Sequence, residues 1–121
     1  MRIKIDPLDV LFSKFIRLRA MEAVHGCERC FTKKNSYKQL QCSHFFGRSR
    51  KSVRWDEDNA AGLCFGCHQY FTSHPIEHVE WFVGKLGDKF DMLNGRQRTP
   101  ARYLDKNLIE LYLKAKIEEL E

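Results

Sequence analysis

The sequence predicts a small α+β domain closed by zinc, with helices on either side of a strand-bearing centre. Three observations predict it. Two Cys-x-x-Cys pairs, Cys27–Cys30 and Cys64–Cys67, stand 33 residues apart. The stretch between them has strand-like alternation, with Leu40, Cys42, His44 and Phe46 at every second position. Outside it, apolar residues recur at helical spacing. A chain of 121 residues is one domain, without room for two independent cores. Its 43% hydrophobic and 31% charged residues exclude a disordered chain. No run of about 18 apolar residues exists, which excludes a helical membrane span. The charged start, Met1 to Asp9, carries no small-residue cleavage site, so a cytoplasmic protein without a signal peptide is expected.

The elements follow in order. Asp6 can cap a helix and Pro7 suits its first turn. Leu8, Leu11, Phe12, Phe15, Ile16, Ala20 and Ala23 then form an apolar stripe, which predicts a helix over 6–24. His25-Gly26 ends it. The core is expected over 25–74. Tyr37–Phe46 and Ser52–Trp55 read as its two strands, with a basic loop, Gly47–Lys51, between them. Asp56–Asn59 reads as a polar loop. The second cysteine pair opens a short helix over Phe65–Thr72. A C-terminal helical extension over 75–121 follows. Pro75 starts a helix to Leu86, with Ile76, Val79, Trp81, Phe82, Val83 and Leu86 mostly inward. Gly87 stops it, and Asp88–Leu93 is a shorter turn. Thr99-Pro100 caps a last helix, Pro100–Leu120, whose stripe is Leu104, Leu108, Leu111, Tyr112, Ala115 and Leu120.

Four of the five cysteines fall in the two pairs. Two such knuckles supply the four soft ligands of a closed, tetrahedral structural zinc site: Cys27, Cys30, Cys64 and Cys67. The fifth, Cys42, reads as a buried strand residue. A redox role would need one pair beside a βαβ pattern, which is not found. Charge is uneven. Cys27–Arg54 holds eight basic residues against Glu28, or +7, while the chain totals +5. That clustering is the electrostatic footprint of a polyanion binder, and nucleic acid is the commonest such partner.

The centre of the chain carries the chemistry. His44 lies in Gln41-Cys42-Ser43-His44-Phe45, Asn59 stands five residues before Cys64, and His68 directly follows Cys67. This order of His, Asn and Cys-x-x-Cys-His resembles the HNH, or ββα-metal (His-Me finger), nucleases. The resemblance extends through Asp6-Pro-Leu-Asp-Val-Leu-Phe-Ser-Lys-Phe-Ile-Arg-Leu-Arg19, Cys-Glu-Arg-Cys30 and Leu-Gln-Cys-Ser-His-Phe-Phe46 with Arg48. Over roughly 6–93 the chain is similar to the phage NinG (Rap) recombination nucleases. The resemblance implies a ββα-metal fold and a structure-selective DNA endonuclease that cuts branched recombination intermediates, a Holliday junction or D-loop, inside the bacterial host cell. It implies His44 as the general base, Asn59 as the residue that orients it, and His68 as a ligand of a catalytic Mg2+ or Mn2+. Symmetric cleavage of a four-way junction needs two active sites, so a homodimer is expected.

Ser43 stands where many HNH nucleases carry an Asp or His ligand, which leaves the ion short of a carboxylate. His74, seven residues past Cys67, is the candidate second ligand. His78 is expected on the surface, and His25 at a helix end. Arg48, Arg50, Lys51 and Arg54 are the expected DNA contacts, because a guanidinium just past the base can brace a phosphate. Two other readings use the same residues. One is a zinc-stabilised module that binds nucleic acid without cutting it. The other is an adaptor that binds protein through the Pro100–Leu120 helix.

Overall fold

Asp6 opens the first helix, α1 (Pro7–Val24), with a reciprocal cap. Its side chain accepts the Leu8 amide at 2.9 Å, and Asp9 accepts the Asp6 amide at 2.8 Å. The computed structural model, which describes residues 3–121, ends this helix at His25 in the left-handed region, with φ 58°. The first knuckle follows. Gly26 is required there, because a Cβ would lie 2.0 Å from the Thr32 carbonyl oxygen.

The sheet has two strands, β1 (Gln41–His44) and β2 (Ala60–Leu63), which pair antiparallel. Their register sets Gln41 opposite Leu63 and His44 opposite Ala60. This corrects both expected strands. Tyr37–Gln39 is a 3-10 turn capped by Ser36, so β1 is short. Ser52–Trp55 is no strand, since Lys51–Val53 is another 3-10 turn. The second strand is instead the Ala-Ala-Gly-Leu run, buried at every position. Its residues are small because α1 lies directly across it: a Cβ on Gly62 would stand 2.7 Å from the Ala20 Cβ. Close approach of a helix selected small side chains where β-branched ones would mark a strand.

Helix α2 (Phe65–Ser73) starts at Cys64, α3 (Pro75–Leu86) at His74, and α4 (Lys89–Gln97) extends past the short turn expected there. The last helix is also corrected. Ala101–Tyr103 is a 3-10 turn, and α5 (Lys106–Leu120) begins only after Asp105, which accepts the Asn107 and Leu108 amides. Two cores form. One joins Leu63, Cys67, Phe71, Phe82 and Leu93 around the knuckles and α2–α4. The other joins Phe12, Phe15 and Ile16 of α1 to Leu113 and Ile117 of α5, with Ala60 between. Each fully buried Leu, Ile or Phe contributes about 1.5–3 kcal/mol of transfer free energy.

The helix faces differ from the expected stripes. On α3, Phe82 and Leu86 are buried but Ile76, Val79 and Val83 are exposed. On α5, Leu108, Leu111 and Tyr112 are exposed. Among the described residues, no helix is long and apolar enough to cross a membrane.

Candidate active site and metal centre

The four knuckle sulfurs meet. The Sγ atoms of Cys27, Cys30, Cys64 and Cys67 lie within 4.8 Å of one another. Local structure makes this so. In the first knuckle the Arg29 and Cys30 amides donate to the Cys27 sulfur at 3.4 and 3.5 Å. In the second, Cys64 caps α2 and accepts the Cys67 amide at 3.4 Å. The knuckles are fastened through Glu28, whose amide donates to the Gly62 carbonyl at 3.0 Å and whose carboxylate accepts the Gly62 amide. Hydrogen bonding by Thr32 lowers the Cys30 thiol to about 6. Burial raises the Cys67 thiol to about 12, although the Arg29 guanidinium donates to it at 3.4 Å. Four converging soft donors of this kind fit a structural ion such as zinc, whose charge stabilises all four thiolates together.

An open cavity of about 460 Å3 lies nearby, lined by His44 and His68 with Asp9, Ser13, Cys42 and Arg48. His44 is the last residue of β1, and its ring packs on Phe12 at 5.5 Å. Its Nε2 donates to the Arg54 carbonyl at 3.0 Å. A carbonyl can only accept, so Nε2 carries the proton and Nδ1 keeps its lone pair. Burial pushes the His44 pKa below its ordinary value of 6.5, against the Arg54 hydrogen bond and Asp9, which raise it. The ring is therefore neutral at neutral pH. His68, in the first turn of α2, meets the Gln41 side-chain oxygen through Nδ1, which leaves Nε2 free of that bond. Burial lowers its pKa too.

Asn59 is fully buried and makes three hydrogen bonds. Its Oδ1 accepts the Phe46 amide at 2.8 Å, and its Nδ2 donates to the Phe46 and Val53 carbonyls at 2.9 and 3.0 Å. It thus ties both ends of the loop that follows His44.

Other expected site residues are placed differently. Arg54 is 7% exposed, and its guanidinium is spent on Asp9, so it is not a free DNA contact. Arg48 lines the cavity, 3.8 Å from Asp9. Arg50 and Lys51 are exposed and, among the described residues, have no carboxylate within 4.0 Å. His74 is not brought to the cavity. Its Nδ1 bonds the Tyr70 carbonyl at 2.8 Å and its ring stacks on Tyr70 at 3.9 Å. His78 is not a surface residue either. It is half-buried among Phe45, Phe71 and Phe82, and its Nε2 has no partner among the described residues. Cys42 lines the cavity, and burial raises its thiol to about 12.

Sequence reasoning missed Asp9 and Gln41. Asp9 reads locally as half of a helix cap, and no spacing rule links residue 9 to residue 54. Among the described residues, the cysteine tetrad is the only group of three or more His, Cys, Asp or Glu side chains close enough to share an ion. No protein-family model, curated protein or solved structure matches the chain.

Proposed function

We propose that this chain is a metal-dependent endonuclease of the ββα-metal type, which hydrolyses DNA phosphodiesters after the manner of the NinG nucleases. The observation that carries the proposal is the His44 hydrogen bond to the Arg54 carbonyl. It leaves a neutral imidazole whose remaining nitrogen, Nδ1, is the basic one, beside a cavity that also holds His68 and Arg48. Hydrolysis of a phosphodiester needs a base for the attacking water and positive charge near the phosphate. His44 takes the proton at Nδ1. Asn59 holds the loop that presents the acceptor of His44. Arg48 braces the phosphate, and Arg50 and Lys51 meet the flanking backbone.

The chain's own contribution to a catalytic Mg2+ or Mn2+ is the Nε2 of His68. Hard cations take mostly oxygen ligands, so phosphate oxygens and water would complete the set. When bound, such an ion would stabilise charge on the phosphate and the leaving oxygen. Branched DNA is the substrate we assign, on the resemblance to NinG, with two copies of the chain delivering paired cuts.

The test is single-turnover cleavage of a four-way junction with Mg2+ or Mn2+. His44→Ala is expected to slow it by about 10²–10⁴, or roughly 3–6 kcal/mol of barrier, with melting temperature and zinc content close to wild type. A mutant that cuts at the wild-type rate removes His44 as the base. Exposed Arg50 and Lys51 support a second reading, a zinc-stabilised module that only binds nucleic acid. A wild-type chain that binds junctions but cleaves none with either ion would establish that reading instead.

A further inference from the structure

We infer that Asp9 is a positioning residue for His44, acting through Arg54, so that helix α1 shares with Asn59 the task of orienting the base. The catalytic consequence rests on the nuclease reading; the geometry does not.

Asp9 lines the cavity and is the one carboxylate that does so. It is nevertheless saturated. Its Oδ1 accepts Arg54 Nε and Trp55 Nε1, both at 2.9 Å, and its Oδ2 accepts the other arm of the Arg54 fork and the Asp6 amide. An ionised carboxylate has about four acceptor sites, and all are taken. Burial alone would raise its pKa, but the Arg54, Asp6 and Trp55 hydrogen bonds outweigh it and hold the carboxyl below the usual value. Asp9 therefore anchors protein groups and has no lone pair left for an ion.

What it anchors is the acceptor of His44. The Arg54 guanidinium is gripped bidentately by Asp9 and donates also to the Lys4 carbonyl at 2.8 Å. The carbonyl of the same residue receives His44 Nε2–H. One residue earlier, the Val53 carbonyl is held by Asn59. One residue later, the Trp55 indole is held by Asp9. Three consecutive residues are thus pinned from two sides. The Arg54 carbonyl cannot rotate without breaking a side-chain anchor, and it dictates which nitrogen of His44 carries the proton. A purely structural ion pair would staple α1 to this loop and lower the melting temperature when broken. It would leave the tautomer of His44 as it was.

The imidazole tautomer is therefore the readout. In long-range 1H–15N spectra of the zinc-loaded full chain, wild-type His44 is expected as the Nε2–H form. Asp9→Asn is expected to move His44 into a mixture of tautomers while the signal of His78 stays in place. Single-turnover junction cleavage should fall by about 10²-fold with DNA affinity unchanged, as expected for a misplaced catalytic group. If Asp9→Asn does not fold, Arg54→Lys is measured in the same way, since it keeps the charge and loses the fork. Wild-type His44 protonated at Nδ1, or either folded variant retaining pure Nε2–H, overturns the inference. A wild-type chain that cuts no DNA overturns the nuclease reading instead, and the tautomer signal still decides the role of Asp9.

Discussion

The cysteine tetrad and the His44 cavity draw on the same pair of strands, yet they are built on different principles. The tetrad is complete within the chain. Its four sulfurs converge, backbone amides point at two of them, and Glu28 ties one knuckle to the strand that leads into the other. In the cavity, by contrast, the polar side chains are engaged with the protein itself. His44 is bonded to a carbonyl, His68 to Gln41, and Asp9 to Arg54 and Trp55. The first arrangement would turn the binding of an ion into folding free energy. The second spends hydrogen bonds on holding groups in place, and leaves open space for something from outside.

Disrupting the tetrad should have the largest effect. Cys64→Ser, or removal of zinc by a chelator, is expected to cost on the order of 10 kcal/mol and to unfold the chain. Circular dichroism and elemental analysis check it. A zinc-free chain that melts like the wild type would erase the contrast between the two regions.

On the cavity side, Asn59→Ala strands one amide and two carbonyls in the interior. A loss of about 3 kcal/mol is expected, from the cost of leaving buried polar groups unpaired. Zinc content should stay at one ion per chain. Denaturant unfolding measures the first quantity. Zinc lost together with stability would mean that the two regions are not separable.

Acid should act through the buried histidines of the cavity and of the aromatic core beside it. Burial lowers the pKa of His44 and of His78, the latter with help from His68. Below the ordinary value of 6.5 the unfolded chain binds a proton on each ring, while the folded chain does not until lower pH. The unfolded state then holds more protons, so stability falls as pH drops from above 6.5 through the lowered folded values. The double variant His44→Gln, His78→Phe should flatten that slope between pH 7 and 5. A slope unchanged in the variant would assign the acid sensitivity to His68, whose pKa burial also lowers, and to the thiolates.

The smallest change is expected at the exposed basic residues of the loop after β1. Arg50→Ala and Lys51→Ala should leave stability within about 0.5 kcal/mol. Each should lower the slope of log affinity against log salt by about one. Unchanged slopes would leave these two residues as solvated charges with no part in the cavity's function.

The tetrad was legible because its signal is local. Two Cys-x-x-Cys pairs name their ligands whatever the chain does between them. Helix α1 was legible at its start for the same reason, since Asp6-Pro7 is a cap and first-turn pair. Strand β2 was not, because Ala60-Ala61-Gly62 carries no strand propensity. It is a strand because β1 pairs with it and α1 lies on it.

The sequence by itself determined the four cysteines of the tetrad, the start of α1 and the helices after the second knuckle other than α4, which reads as a short turn. Only the tertiary structure decided which faces those helices bury. Helix α5 offers apolar residues on more than one face, and packing on Phe12, Phe15 and Ile16 selected Leu113 and Ile117 over Leu108 and Leu111. It also decided the partner of Arg54. A guanidinium in a basic stretch reads as a surface charge until a carboxylate 45 residues away is folded against it. Spacing rules reach about one turn of helix or one strand pair, whereas ion pairing and packing act between whichever groups the folded chain brings together.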